Sequence, residues 1–165
     1  MLTIRALTKN DIPDILLLQE ECFRIMEDRS QLRANAEKDF LDCFSRNNVS
    51  LGIFFNDNLV ALKIMHEINQ GDAIFKYIDP SVPALYSKLT LVHPDFRGRG
   101  WQVLLTSLAL SLSNFSGNVY CTVHPENAVL IKNIERLGFK EIAQDNLYGS
   151  LRKIFMLNCN GNSLP

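Results

Sequence analysis

Arg97-Gly98-Arg99-Gly100 lies between a short apolar run, Leu89-Thr90-Leu91-Val92, and a stretch beginning at Trp101 whose apolar residues recur at helical spacing. Strand, glycine-spaced basic loop and helix start, in that order, build a site for an anion. Glycine has no Cβ, so the backbone can approach a ligand closely. The first N–H groups of a helix lack intrahelical partners and sit at the positive end of its dipole. A phosphate resting there is held by backbone, with Arg97 and Arg99 as charged donors. No Lys-Ser/Thr pair follows the loop, and Gln102 and Val103 stand where G-x-G-x-x-G needs its last glycine. A nucleoside-triphosphate loop and a dinucleotide fingerprint are both disfavoured.

The elements that must position this loop are legible around it. Trp101, Leu104, Leu105, Leu108, Ala109 and Leu112 form one apolar stripe, with Thr106, Ser107 and Ser111 on other faces. Upstream, Leu2–Leu7 reads as a strand. Thr8 to Asp11 reads as a capping box, with a first helix from Ile12 to Met26 behind it. After a break at Asp28-Arg29-Ser30, a second helix is expected from about Leu32 to Ser45. Leu51–Phe55 and Leu59–Ile68 form a hairpin through Asn56-Asp57-Asn58. The segment 73–83 carries two prolines and reads as loop or broken strand, and Tyr86–Val92 as the strand that enters the loop. Downstream come a strand, Val119–Val123, and a helix begun by His124-Pro125-Glu126 and ended by Gly138. Closing strands Phe139–Ile142 and Leu151–Leu157 are joined through Asp145-Asn146. The order predicts one α/β domain, a mixed sheet with helices on both faces.

Val92-His93-Pro94-Asp95-Phe96-Arg97-Gly98-Arg99-Gly100 resembles motif A of the GNAT-type acyl-CoA N-acyltransferases, with Arg97, Gly100 and Gln102 at its marked positions. Gln102 departs from the usual Gly/Ala; its side chain either narrows the pyrophosphate's approach or points away. Asn127 to Phe139 resembles motif B, in which Asn opens a helix that ends in Gly-Phe. The resemblance implies a GNAT-like domain over residues 1–158, followed by a polar tail, 159–165. It implies a central mixed, mostly antiparallel sheet of six to seven strands with helices on both faces. It further implies an N-acetyltransferase with acetyl-CoA as co-substrate and no metal, acting by direct transfer to a primary amine of a small molecule or protein. The coenzyme would meet Leu91, Val92, Arg97, Gly98, Arg99, Gly100, Trp101, Gln102 and Asn127. Backbone groups near Leu91 and Val92 would bond its pantetheine arm. An ordinary helix-start role for Asn127 is equally open.

Acyl transfer also asks for a proton acceptor and a proton donor. The tyrosine that many relatives place four residues before Gly-Phe is Ile134 here. A water, Tyr120, Tyr148, or no donor at all remain open. Glu67, near the end of the third strand, is the expected base, its alternative being an exposed strand-end carboxylate. His66 and His93 are poorer candidates, and the scattered histidines give no metal-ligand spacing. Ile134 and Gln102 favour a second reading, a coenzyme-binding regulatory domain that has lost catalysis.

Composition bounds these readings. The chain has 165 residues, 47% hydrophobic and 21% charged, with net charge −1 and pI near 6.3. That suits one domain with a real core, and argues against nucleic-acid or anionic-membrane partners. Cys22, Cys43, Cys121 and Cys159 show no C-x-x-C spacing and read as reduced thiols. No signal pattern and no long apolar run is present, so a soluble, cytoplasmic protein is expected. A monomer and a homodimer are both open, since a closing strand presents an edge. The acceptor's identity is not written in any motif.

Overall fold

The computed structural model describes residues 1–159; the rest of the expected tail, residues 160–165, lies outside them. In chain order the elements are β1 (Leu2–Ala6), α1 (Ile12–Arg24), α2 (Glu37–Ser45), β2 (Asn48–Phe55), β3 (Asn58–Glu67), β4 (Ala84–Val92), α3 (Trp101–Ser113), β5 (Asn118–Val123), α4 (Ala128–Arg136), β6 (Lys140–Leu147) and β7 (Ser150–Asn158). The strands form one sheet in the order β1-β2-β3-β4-β5-β7-β6. Every neighbouring pair is antiparallel except β4 and β5, which run parallel. The expected mixed, mostly antiparallel sheet is thus present with seven strands. Parallel neighbours need a crossover, and α3 supplies it.

Alternation along the strands divides the core in two. Ala61, Met65, Val119 and Phe155 face α3 and α4, whose Leu105, Ala109 and Ile134 pack on them together with Leu137 at the end of α4. Leu62, Ile64, Leu89 and Leu91 face α1 and α2, with Ile15, Leu18, Phe40 and Cys43. Phe40 and Ile15 are wholly buried, and each such side chain contributes about 1.5–3 kcal/mol by leaving water. Thr8 and Asp11 form the expected capping box ahead of α1, and the hairpin between β2 and β3 is as read. No helix among the described residues is long and apolar enough to cross a membrane.

Four local expectations are corrected. The second helix starts at Glu37, not near Leu32. Asn35 is held by Gln19: its N–H donates to Oε1 at 3.0 Å, and Gln19 Nε2 donates back to its carbonyl at 2.9 Å. These bonds take the groups a helix would need, and Asp39 Oδ2 accepts from the Ala36 N–H to start α2. Likewise His124-Pro125-Glu126 is a turn, and α4 opens only at Ala128, capped by Asn127, whose Oδ1 accepts from the Leu130 N–H at 3.1 Å. On α3 the packed face is Leu105, Thr106, Ala109 and Leu110, while Leu104 and Leu112 are exposed. Thr106 is tolerated inside because its hydroxyl donates to its own helix at the Gln102 carbonyl, 2.8 Å. Finally, Asp145-Asn146 continues β6, and the hairpin turns at Tyr148-Gly149. β6 is an edge strand, exposed along most of its length, so its polar residues imitate a turn without making one.

Candidate active site

β4 and β5 pair only over Ala84–Tyr86 and Asn118–Tyr120. Beyond Tyr86 the strands part, and a cleft of about 960 Å³ opens between them. It runs from the loop at Arg97–Gly100, past Leu91, Val92 and Asn127, to Tyr148 and Arg152.

The loop end is made of backbone. Gly98 and Gly100 have φ of 75° and 74°, a region costly for residues with a Cβ. A Cβ at either would meet nothing within 4 Å, so the space above both is open to a ligand. Gly100 is the N-cap of α3 and no side chain caps that helix, leaving its first N–H groups to an anion. The His93 N–H donates to the Val60 carbonyl at 2.8 Å. Strand alternation therefore turns Leu91's backbone groups towards β3 and those of Thr90 and Val92 towards the cleft. Of the two expected backbone positions, Val92 is the one aimed at a ligand, although its carbonyl already accepts from Arg97 Nε at 3.3 Å and Cys22 Sγ at 3.5 Å.

Several side chains expected at this end have other occupations. Arg99 lies over Phe96, 5.1 Å from the ring centroid, and over Trp101 at 5.6 Å; those rings stack on each other at 5.5 Å. Gln102 does point away from the loop: its Oε1 accepts from Asn133 Nδ2 at 2.6 Å, tying α3 to α4 along the cleft wall. Asn127 lines the cleft while serving as the cap of α4.

The expected acid and base are not brought here. Glu67 pairs with Leu85, at the opposite end of β3 from the residue facing Val92, and is exposed. Tyr120 is 2% exposed, inside a cluster with Ile74, Leu147 and Ile154. Ile134 is buried under α4 among Leu105, Cys121 and Phe139 and does not reach the cleft.

A different set stands where the strands part. Tyr148 donates its hydroxyl to Tyr86 Oη at 3.2 Å, and Tyr86 shares a hydrogen bond of 2.9 Å with Thr122 Oγ1. All three line the cleft. Burial pushes the Tyr86 phenol well above its ordinary range, so it stays protonated. The His66 ring abuts it edge-on at 5.7 Å, and burial lowers that imidazole, keeping it neutral. Tyr148 has a φ of 56° and Gly149 a φ of 83°, the left-handed pair that a two-residue hairpin turn requires. Sequence offered one signal for it: an aromatic residue directly before a glycine between two strands.

No protein-family model matches the chain, and no curated protein matches it in sequence. Solved structures do match in fold. The ribosomal-protein-S18-alanine N-acetyltransferase from Escherichia coli is 18% identical over 98% of this chain and 96% of its own, with a TM-score of 0.73. Arabidopsis thaliana NAA60 in complex with acetyl-CoA is 16% identical over 98% and 100%, TM-score 0.74. PaiA N-acetyltransferase from Thermoplasma acidophilum in complex with coenzyme A is 16% identical over 96% and 99%, TM-score 0.70. Seven strands in this order, parted beside a glycine loop and covered by two helices on each face, give this chain the fold of the GNAT-type N-acetyltransferases.

Proposed function

We propose that the chain transfers an acetyl group from acetyl-CoA directly to a primary amine, both bound at once. The observation that carries this reading is the pairing of two left-handed glycines at an uncapped helix start with the parted strands beside them. The neighbours bound to acetyl-CoA and coenzyme A support it. Acetyl-CoA supplies a thioester whose carbonyl accepts a nucleophile and whose sulfur can leave.

The residues divide the work. Gly98, Gly100 and the first N–H groups of α3 bind the pyrophosphate, with Arg97 swinging from Val92 to join them. Val92 backbone lies along the pantetheine arm. The amine nitrogen forms the new N–C bond as the C–S bond breaks. The amine's proton passes to solvent, and Tyr148 gives its phenolic proton to the departing sulfur. Tyr86, protonated and 3.2 Å away, then turns its own hydroxyl to the phenolate left behind. This donor, rather than Tyr120 or the position of Ile134, suits the place where the strands part. Lys88, Arg152 and Arg33 also line the cleft, and their positive field lowers the pKa of an incoming ammonium, which lessens the need for a carboxylate base.

Titration with acetyl-CoA followed by thiol release across a panel of amines tests this. Binding with release supports the enzyme. Binding without release for any amine supports the regulatory reading, which the buried Ile134 and remote Glu67 favour.

A further inference from the structure

Beyond the parted strands, the cleft ends among cations. Arg152 on β7 is 5% exposed. Its terminal nitrogens donate to two carbonyls of the α1–α2 connection, Ser30 at 2.7 Å and Gln31 at 3.1 Å, and its Nε is buried without a partner among the described residues. The Arg33 guanidinium lies 4.3 Å over the Tyr148 ring. Lys88 donates to Cys43 Sγ at 3.2 Å. Among the described residues, no carboxylate stands within ion-pair distance of any of the three. Glu27 and Asp28 also line the cleft, but Asp28 accepts from the Ser30 N–H at 2.8 Å and the Ser30 hydroxyl at 2.9 Å. Arg33 and Arg152 further share a side pocket of about 420 Å³ that opens past Tyr148.

Arginine cannot shed its charge, and the desolvation of the Arg152 guanidinium outweighs the attraction of Asp28, which acts on it from beyond ion-pair distance. Such a cost is repaid when a ligand brings the missing anion, as a planar guanidinium fork holds carboxylate or phosphate by two bonds. Resting on the acetyl-transfer reading above, we infer that the acceptor is an amine that also carries an anionic group, carboxylate or phosphate. Arg33 receives that group beside Tyr148, Arg152 adds its positive charge from behind, and the amine reaches back to where β4 and β5 part. The transfer is as already written: the N–C bond forms, C–S breaks, the amine proton leaves to solvent and the thiolate takes one from Tyr148.

Matched pairs of amines test this, read by thiol release from acetyl-CoA: β-alanine against its amide, phosphoethanolamine against ethanolamine, and the dipeptide amides Ala-Asp against Ala-Asn. The first two pairs probe free metabolite-sized acceptors and the third a peptide N-terminus. The anionic member of at least one pair is expected to exceed its neutral partner in kcat/KM by about 10- to 100-fold, the worth of hydrogen bonds to a charged group. The advantage collapses towards unity in Arg33→Gln, a partly exposed position that folds without it. Equal or better use of the neutral members overturns the inference, as does an advantage that survives both Arg33→Gln and Arg152→Gln. Should acetyl-CoA bind with no thiol released, calorimetric titration of the desulfo-CoA complex with the same amines decides. No preference for the anionic members there overturns the inference and leaves the coenzyme site standing. Failure of acetyl-CoA itself to bind overturns the parent reading instead.

Discussion

At one end of the cleft the ligand-facing groups are backbone: two glycines at positive φ and the uncapped start of α3. At the other they are side chains, gathered from the α1–α2 connection, β4, β5 and the β6–β7 hairpin. The backbone end depends on conformation, so few residues suit it and they lie together in sequence. The side-chain end depends on tertiary contacts between segments far apart in the chain, such as Arg152 and Ser30, and it is free to vary with the substrate.

The two ends separate on mutation. Tyr148→Phe removes one hydroxyl from the side-chain end and keeps the ring beneath Arg33. It is expected to lower kcat by about 10²–10⁴, the usual worth of a positioned proton donor, with acetyl-CoA affinity unchanged. A variant as fast as the parent would mean that the thiolate leaves into solvent or takes its proton elsewhere. Gly100→Val strikes the backbone end instead. An added Cβ meets no protein atom within 4 Å, so the expected cost is a strained φ and a blocked ligand. The coenzyme Kd is expected to rise by roughly 100-fold, and calorimetry beside a thermal melt distinguishes lost binding from lost fold.

Two smaller effects sharpen the contrast. Asp11 lies at neither end; the Arg5 guanidinium, with Thr8, holds its carboxyl down to about 2. A depressed carboxylate stabilises the fold fully above its unfolded value, about 3.9, and loses that contribution as pH falls towards 2. Thermal melts should therefore steepen in their decline below about pH 4, less so in Asp11→Asn, with coenzyme binding at neutral pH untouched in both. The half-exposed Arg5 keeps the effect small in salt. Gln102→Ala severs the bond to Asn133. It should cost about 1 kcal/mol or less of stability and change coenzyme affinity only slightly, because the side chain does not face the loop.

The same division explains what could be read before the fold was known. The loop from Arg97 to Gly100, the strand ahead of it and the helix behind it are contiguous, so their spacing carried them. Even there, spacing does not show that Arg99, while lining the cleft, lies over Phe96 and Trp101, contacts set by how the loop folds back. Glu67 lies near a strand end in the sequence, yet β3 runs antiparallel to β4, so that end is far from Val92. Tyr120 shares its face of β5 with Thr122 but lies two residues earlier, where β5 still pairs with β4, and it is packed beside Ile154. Tyr148, held open with Tyr120 as a replacement donor, depended on where the last hairpin turns, and exposed polar residues on β6 hid that turn. Arg33 and Arg152 left no local trace at all, since the meaning of an unpaired arginine depends on what surrounds it in space.

Whether the glycine loop and the parted strands hold acetyl-CoA for transfer is decided by calorimetric titration of acetyl-CoA into the parent protein and Gly100→Val, each then assayed for thiol release with amines. Binding by the parent is expected, with roughly 100-fold weaker binding by a still-folded Gly100→Val and release by the parent when an accepted amine is supplied. Absent binding by the parent, or equal binding by both proteins, would contradict this assignment.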